Sequence, residues 1–168
     1  MTDQIVLRKV ARQYRASLAM LRQAIELCPE RLWLDEKYTN RYWHIAYHSI
    51  FYTHLYLQPS LAEFLRWEKH RQGYQYLGPH PWGPKEPVKI DTPYSKDELI
   101  LYHAICCAEM ESRVPALDLE GPSGFEWLPF NKLEVQFYNI RHIQDHTGQL
   151  AERLRTVADL GVAWVRPE

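Results

Sequence analysis

The stretch RYWHIAYHSIFY, residues 41–52, is apolar around nearly the whole circumference that an α-helix would present. A helix of this kind is buried on more than one side, so other segments must pack around it. A cap at Thr39 or Asn40 and an interruption at Pro59 predict a helix over about residues 39–57. The stretch therefore favours an all-α fold in which several helices pack together.

Three other long helices are predicted from the period of their apolar residues. The first covers about residues 3–27. Another starts at Ser95, where Ser95-x-x-Glu98 fits a capping box, and ends near Pro115. The last runs over about residues 131–160, with Gly161 suited to its end and a main apolar stripe made of Leu133, Phe137, Ile140, Ile143, Thr147, Leu150, Leu154 and Val157.

Between these helices lie one short helix and two loops. Ser60 is expected to cap a short helix from Leu61 to about His70. The density of Pro and Gly over residues 71–94 excludes a long helix there, although residues 88–90 can form a brief extended piece. Residues 118–130 form the second loop. The expected fold is an antiparallel four-helix bundle with a long Pro/Gly-rich insertion around 71–94, in a single domain over residues 1–168.

The charge balance bears on the class of partner. The chain has 20 basic and 21 acidic residues, so its net charge of −1 favours no nucleic-acid partner. No apolar run approaches the ~20 residues that span a bilayer, and no signal peptide is visible, so we expect a cytoplasmic protein without a membrane partner. The three cysteines, an odd number without C-x-x-C, are expected to be free thiols. The many aromatic rings make a ring-lined cavity plausible.

Two histidine pairs have the spacing that suits a metal ligand set. His44-x-x-x-His48 and His142-x-x-x-His146 place rings one helical turn apart, from which two imidazoles can reach one ion. The spacing alone is weak, because packed or surface histidines produce it often. However, His142 and His146 lie off the main apolar stripe of their helix, on an uncharged second face. Because two faces of this last helix must pack against other residues, the sequence also favours a homodimer.

Other chemistries fit less well. A di-iron bundle needs Glu-x-x-His and a metalloprotease of the common type needs H-E-x-x-H, and neither pattern occurs. Haem binding by histidine remains open. A nucleophile at Cys106 or Cys107 also remains open, although helix cysteines are more often core residues.

The segment RHIQDHTGQL, residues 141–150, resembles the H-x-x-x-H-x-G-Q-L signature of the DinB-like superfamily. The segment AYHSIF, residues 46–51, is similar to that family's second helix, which supplies the first histidine. The resemblance implies a four-helix bundle, often dimeric, with a divalent metal on His48, His142 and His146. His44 precedes the matched position by one turn, and we expect it to be packed or to support a ligand rather than bind the metal.

The resemblance also implies a class of reaction. Members include thiol-dependent S-transferases and a thiol-dependent isomerase, in which the metal is thought to activate the sulfur of a low-molecular-weight thiol. For this chain it implies zinc or nickel, a small-molecule substrate and a transferase or a related hydrolase or isomerase. The rival interpretation is a bundle that binds a metal or small ligand without turnover. Asp145 is expected to be a surface charge, and Arg153 can meet an anionic substrate group.

Overall fold

The computed structural model describes residues 3–79 and 89–167, and these residues are helical or irregular, with no β-strand. An isolated bridge pairs Pro122 with Asn131. None of the described helices is both long and apolar enough to cross a membrane. In chain order the helices are α1 (Asp3–Leu27), α2 (Glu30–Trp33), α3 (Tyr42–Tyr56), α4 (Lys96–Arg113) and α5 (Lys132–Ala158), with a 3₁₀ turn at Val114–Ala116.

The starts of α4 and α5 follow from local sequence. Ser95 Oγ accepts a hydrogen bond from the Glu98 backbone N–H at 3.2 Å, and the Glu98 carboxylate accepts one from the Ser95 N–H at 2.9 Å. This is the capping box that the sequence predicts. Asn131 and Glu134 form a second capping box before α5. Each box satisfies N–H groups that the first helical turn would otherwise leave without partners.

Several predicted boundaries are wrong. Neither Thr39 nor Asn40 caps α3, which begins one residue after Arg41, without a side-chain cap. The end of α5 is formed by Asp159, in a left-handed conformation with φ 55°, rather than by Gly161. Glu30–Trp33 forms a helical turn that the periodicity did not predict, since four residues are too few to show a period.

The predicted short helix from Leu61 to His70 is absent, because tertiary contacts override the local cap. The Leu61 N–H donates to the Gly124 carbonyl at 3.3 Å rather than joining a helical turn. Trp67 stacks on the Tyr102 ring of α4, with centroids 4.5 Å apart. The described parts of the insertion, 71–79 and 89–94, are irregular as expected. Of the possible extended piece 88–90, residue 88 lies outside the described residues and the other two form no strand.

The helix rich in apolar residues is central, as its sequence predicts. Thirteen of the fifteen residues of α3 are buried. Both α4 and α5 pack on α3, and both also pack on α1, so each long helix contacts at least two others. This packing places the inward face of α5 against α3, where the histidines of the two helices can meet.

The predicted apolar stripe of α5 is partly wrong. Phe137, expected in the core, is 56% exposed, whereas Gln136 and Asn139 are fully buried. Gln136 Oε1 accepts from the Tyr14 hydroxyl at 2.9 Å, and Asn139 Nδ2 donates to the Thr53 carbonyl at 3.2 Å. Buried polar groups are tolerated when they are hydrogen-bonded, and an apolar period cannot reveal them. These two bonds join α5 to α1 and α3.

Two loops are held together beside the start of α5. The buried ammonium of Lys132 donates to the Pro59 carbonyl at 2.8 Å and also to the Ser123 carbonyl. Gly124 has φ 85°, and a Cβ there would overlap the Pro59 carbonyl oxygen. Glycine is therefore required where the two loops cross. The crossing positions Leu61 and the following residues next to the loop before α5.

Candidate metal centre

Three ring nitrogens from two helices converge at one point. His48 lies on α3, and His142 and His146 lie one turn apart on α5. His142 Nε2 is 3.0 Å from His48 Nε2 and 3.1 Å from His146 Nε2. These three residues, the three-histidine cluster, form a group that could hold a metal ion, and they are the residues that the family resemblance implies as ligands.

A backbone carbonyl sets the tautomer of His48. His48 Nδ1 lies 2.6 Å from the carbonyl oxygen of Gln75. A carbonyl only accepts, so Nδ1 must carry the proton and donate it. In the neutral ring this leaves a lone pair on Nε2, directed at the other two histidines. Metal-binding histidines commonly have such an outer hydrogen bond, which fixes the ring and its tautomer.

The short contacts within the three-histidine cluster fit a cation better than hydrogen bonds. His142 Nε2 carries at most one proton, so it cannot make good hydrogen bonds to His48 and His146 together. At least one pair of nitrogens then lies about 3 Å apart without a proper bond. Nitrogens that bind tetrahedral zinc at ~2.05 Å lie roughly 3.3 Å from one another. The two spacings from His142 Nε2 are close to this value, and the ligand nitrogens all lie within 4.8 Å of one another.

The rings are neutral near pH 7, which is the form that binds metals. Burial, followed by the charge of the nearby His146, lowers the pKa of His142 to about 3. Burial, followed by the other two cluster rings, holds the pKa of His48 well below its usual value. Burial also lowers the pKa of His146, against a smaller opposing effect of the Asp145 carboxylate. The neutral form of imidazole is the form in which histidine binds a divalent ion.

The outer nitrogens of the α5 histidines are less well supported. Within the described ranges, His142 Nδ1 and His146 Nδ1 are buried and have no hydrogen-bond partner. The Asp145 carboxylate lies 3.8 Å from His146 Nδ1, beyond hydrogen-bond distance, and accepts from Gln149 Nε2 at 2.9 Å instead. Asp145 is a surface charge, as expected. Among the described residues, the ring of His48 is therefore the one whose outer nitrogen bonds to a backbone carbonyl.

Two other candidates lie outside the three-histidine cluster. His44 Nε2 bonds to the Tyr74 carbonyl at 2.8 Å, so His44 is packed and anchors the loop that follows α3. Arg153 donates to the Asn40 carbonyl at 2.7 Å and lies over the Tyr38 ring. This contact explains the conformation of Arg153 without any substrate.

The cysteines lack the properties of a nucleophile. All three are free. Burial raises the pKa of Cys106 and Cys107, and the Cys107 sulfur lies 3.7 Å from Nδ1 of His103, whose own pKa is lowered by burial. A reactive cysteine needs a lowered pKa. These effects oppose the thiolate–imidazolium pair that such a site would use.

A cleft of about 540 Å³ opens onto the three-histidine cluster. Its walls are largely aromatic, and the Tyr52 ring lies 4.8 Å from the His48 ring and 5.5 Å from the His142 ring. Gln75, whose carbonyl orients His48, is also part of the lining. The aromatic content of the sequence predicted such a cavity, but no spacing pattern identified its residues, because they come from α3, α5 and the two loops that precede α4 and α5.

No protein-family model, curated protein or solved structure matches this chain. The resemblance of residues 46–51 and 141–150 to the DinB-like superfamily therefore stays a prediction. The arguments for the site rest on the positions of the side chains themselves.

Proposed function

We propose that this chain is a metal-dependent protein whose three-histidine cluster binds one divalent ion, zinc or nickel. The observation that carries the proposal is the convergence of His48, His142 and His146 through their Nε2 atoms. Three neutral ligands leave a coordination position open, as catalytic zinc-type sites do. The ion would keep its double positive charge, because none of the three ligands is anionic.

We also propose that the helices form an antiparallel four-helix bundle of the DinB-like type. The packing of both α1 and α3 against α4 and α5 supports this arrangement. Histidines on two facing helices of such a bundle suit a metal site in its interior. The signature-like segment 141–150 adds to this support, since it supplies two of the three proposed ligands.

The reaction we favour is transfer of a low-molecular-weight thiol to an electrophilic small molecule, or a related hydrolysis or isomerisation. A divalent metal supplies positive charge that lowers the pKa of a thiol or water beside it. In the transfer, the thiol loses its proton to solvent and its sulfur forms a bond to the electrophilic carbon. The bond between that carbon and the leaving group breaks, and the leaving group takes the electron pair.

The chain's own residues would orient the reactants. The Gln75 carbonyl holds the His48 ring in one tautomer. The Tyr52 ring packs beside two of the ligand rings and restricts their movement. The aromatic walls of the cleft limit the water that reaches a bound substrate. No Asp or Glu is among the described residues that line the cleft, so none of those residues offers the thiol proton a carboxylate.

The same absence of a carboxylate favours the second candidate, a protein that binds a metal or a small ligand without turnover. A panel of low-molecular-weight thiols and electrophiles separates the two, with glutathione and 1-chloro-2,4-dinitrobenzene as the first pair. Thiol loss faster than the uncatalysed rate, and abolished in the triple-alanine variant of the ligands, supports the transferase. Stoichiometric metal without thiol loss across the panel supports the binding protein.

The metal itself is tested by mass spectrometry of untagged protein purified without chelators. We expect about one divalent ion per chain in the parent and none in the His48→Ala/His142→Ala/His146→Ala variant. His103→Ala is the matched control, since it removes a buried histidine far from the three-histidine cluster and should keep its metal. A parent that holds no metal and takes up neither zinc nor nickel would contradict the proposal.

A further inference from the structure

We propose that the cleft beside the three-histidine cluster binds a small aromatic anion, with its ring between the aromatic walls and its carboxylate at Arg66. If the chain catalyses the proposed reaction, this ligand is its substrate, and only that role rests on the proposed function. The binding itself depends on the walls and on Arg66, whether or not a metal is present.

The walls suit an aromatic ring because they are apolar and already in contact with one another. The Tyr56 ring meets the Tyr138 ring edge-on with centroids 5.4 Å apart, and the Tyr56 hydroxyl accepts from Trp127 Nε1 at 3.3 Å. Aromatic pairs favour such edge-on and offset arrangements, which a ligand ring can extend. Because these rings restrain one another through their own contacts, little conformational entropy is lost on binding.

The size and mouth of the cleft also suit a small molecule. Its volume of about 540 Å³ falls within the range of small-molecule sites. Leu61 and Trp127 line it and remain 48% and 37% exposed, so large apolar side chains face solvent at the same cavity. Covering them with a ligand ring would remove apolar surface from water.

Arg66 carries the single formal charge among the described residues that line the cleft, so the cleft is positively charged. Arg66 is exposed and makes no hydrogen bond or ion pair with another described residue. Two nearby cations of the same segment are occupied, since Lys69 pairs with Glu98 and Arg71 donates to the Thr92 carbonyl. A free guanidinium presents a planar set of donors that matches a carboxylate.

An aromatic cavity can also attract a cationic ligand to its ring faces. Here the guanidinium of Arg66 would repel such a ligand, and a bound divalent ion would repel it further. No Asp or Glu among the described lining residues offsets this positive charge. The charges therefore favour an anionic ligand over a cationic one.

The test compares two probes of the same shape, 2-naphthoate and the neutral 2-naphthamide, by isothermal titration calorimetry on the full chain. We expect naphthoate to bind about three- to tenfold more tightly than the amide, as a partly exposed charge pair allows. Arg66→Gln should abolish that preference and Arg66→Lys should retain part of it. Arg8→Gln, which removes an exposed charge from α1 outside the cleft, is the matched control and should retain the preference in full.

A second variant tests the walls. Trp127→Ala should weaken both probes by a similar factor, because it removes ring contact without changing charge. Failure of naphthoate to bind, or an unchanged preference for naphthoate in Arg66→Gln, would overturn the proposal. The second result would place the carboxylate on the metal or elsewhere. A failure of the metal proposal is distinguishable, since it appears as absent metal by mass spectrometry and leaves the naphthoate preference intact.

Discussion

The two histidine pairs have the same spacing, yet they behave differently. On α5, both His142 and His146 direct Nε2 into the three-histidine cluster. On α3, only His48 does so, while His44 bonds to the Tyr74 carbonyl one turn earlier. A four-residue spacing therefore brings two rings to one face of a helix, but it does not decide which rings are available to a ligand.

His44 and His48 differ in which ring nitrogen bonds to the loop that follows α3. The carbonyls of consecutive residues, Tyr74 and Gln75, bond to His44 through Nε2 and to His48 through Nδ1. His48 therefore keeps Nε2 free at the far end of its ring, where it reaches α5. In His44, Nε2 is the ring nitrogen furthest from the backbone, and it is already bonded to the Tyr74 carbonyl. Roles of neighbouring histidines are thus set by carbonyls that lie more than 25 residues away in sequence.

The largest expected effect separates the two pairs directly. His142→Ala should lower the affinity for zinc or nickel by more than about 100-fold, because losing even a hydrogen-bond partner of a ligand costs 10- to 100-fold. His44→Ala should change that affinity by less than tenfold. Metal titration against a competing chelator measures both. Equal losses in the two variants would mean that His44 also binds the ion and that the two pairs are equivalent.

The second expected effect concerns stability. His44→Ala should lower the free energy of unfolding by about 2 kcal/mol, because the Tyr74 carbonyl loses its donor and a buried ring is removed. Urea unfolding measures this loss. His103→Ala is a matched control, since that ring bonds to the Leu18 carbonyl in the same way at a site far from the loop. A His44→Ala variant as stable as the parent would show that the loop does not depend on this bond.

The sequence predicts the parts of this fold that depend on local patterns. The capping box at Ser95 and Glu98 and the burial of α3 on all sides are read from residue types at short spacing. The proximity of His48 to the α5 pair followed from a family resemblance, which supplied the long-range information that spacing lacks. The loop carbonyls beside His48, in contrast, have no sequence signature, because every residue carries one.

Other parts were misread because long-range contacts decide them. Residues 61–70 have a helix cap signal, but the chain is irregular there and Trp67 stacks on the Tyr102 ring of α4. The buried Gln136 and Asn139 interrupt the apolar period of α5, since their hydrogen bonds make burial possible. An apolar period therefore locates a helix more reliably than it locates the buried face.

The third expected effect is a loss of stability on acidification, caused by a histidine that is buried outside the three-histidine cluster. Burial is the main cause that lowers the pKa of His103. As pH falls below about 6.5, the unfolded chain takes up a proton that the folded chain does not. Stability present above pH 6.5 is therefore lost on acidification, with a slope of up to roughly 1.4 kcal/mol per pH unit for this residue.

Urea unfolding between pH 7.5 and 5.5 checks this expectation. His103→Gln should flatten the dependence by up to that slope, whether or not metal is present, because the ring lies away from the three-histidine cluster. An unchanged dependence would mean that His103 takes up its proton over the same pH range in the folded and the unfolded chain. His48 and His142 differ from His103, since their pKa values are lowered both by burial and by neighbouring rings of the cluster.

The smallest expected effect compares two faces of α5. Phe137→Ser should change the free energy of unfolding by less than about 0.5 kcal/mol, because the ring is 56% exposed and the two residues have similar helix propensity. Val135→Ala, two residues earlier and fully buried, should cost about 2 kcal/mol. A larger loss in Phe137→Ser that grows with protein concentration would instead indicate that a second copy of the chain covers this face, which would support the predicted homodimer.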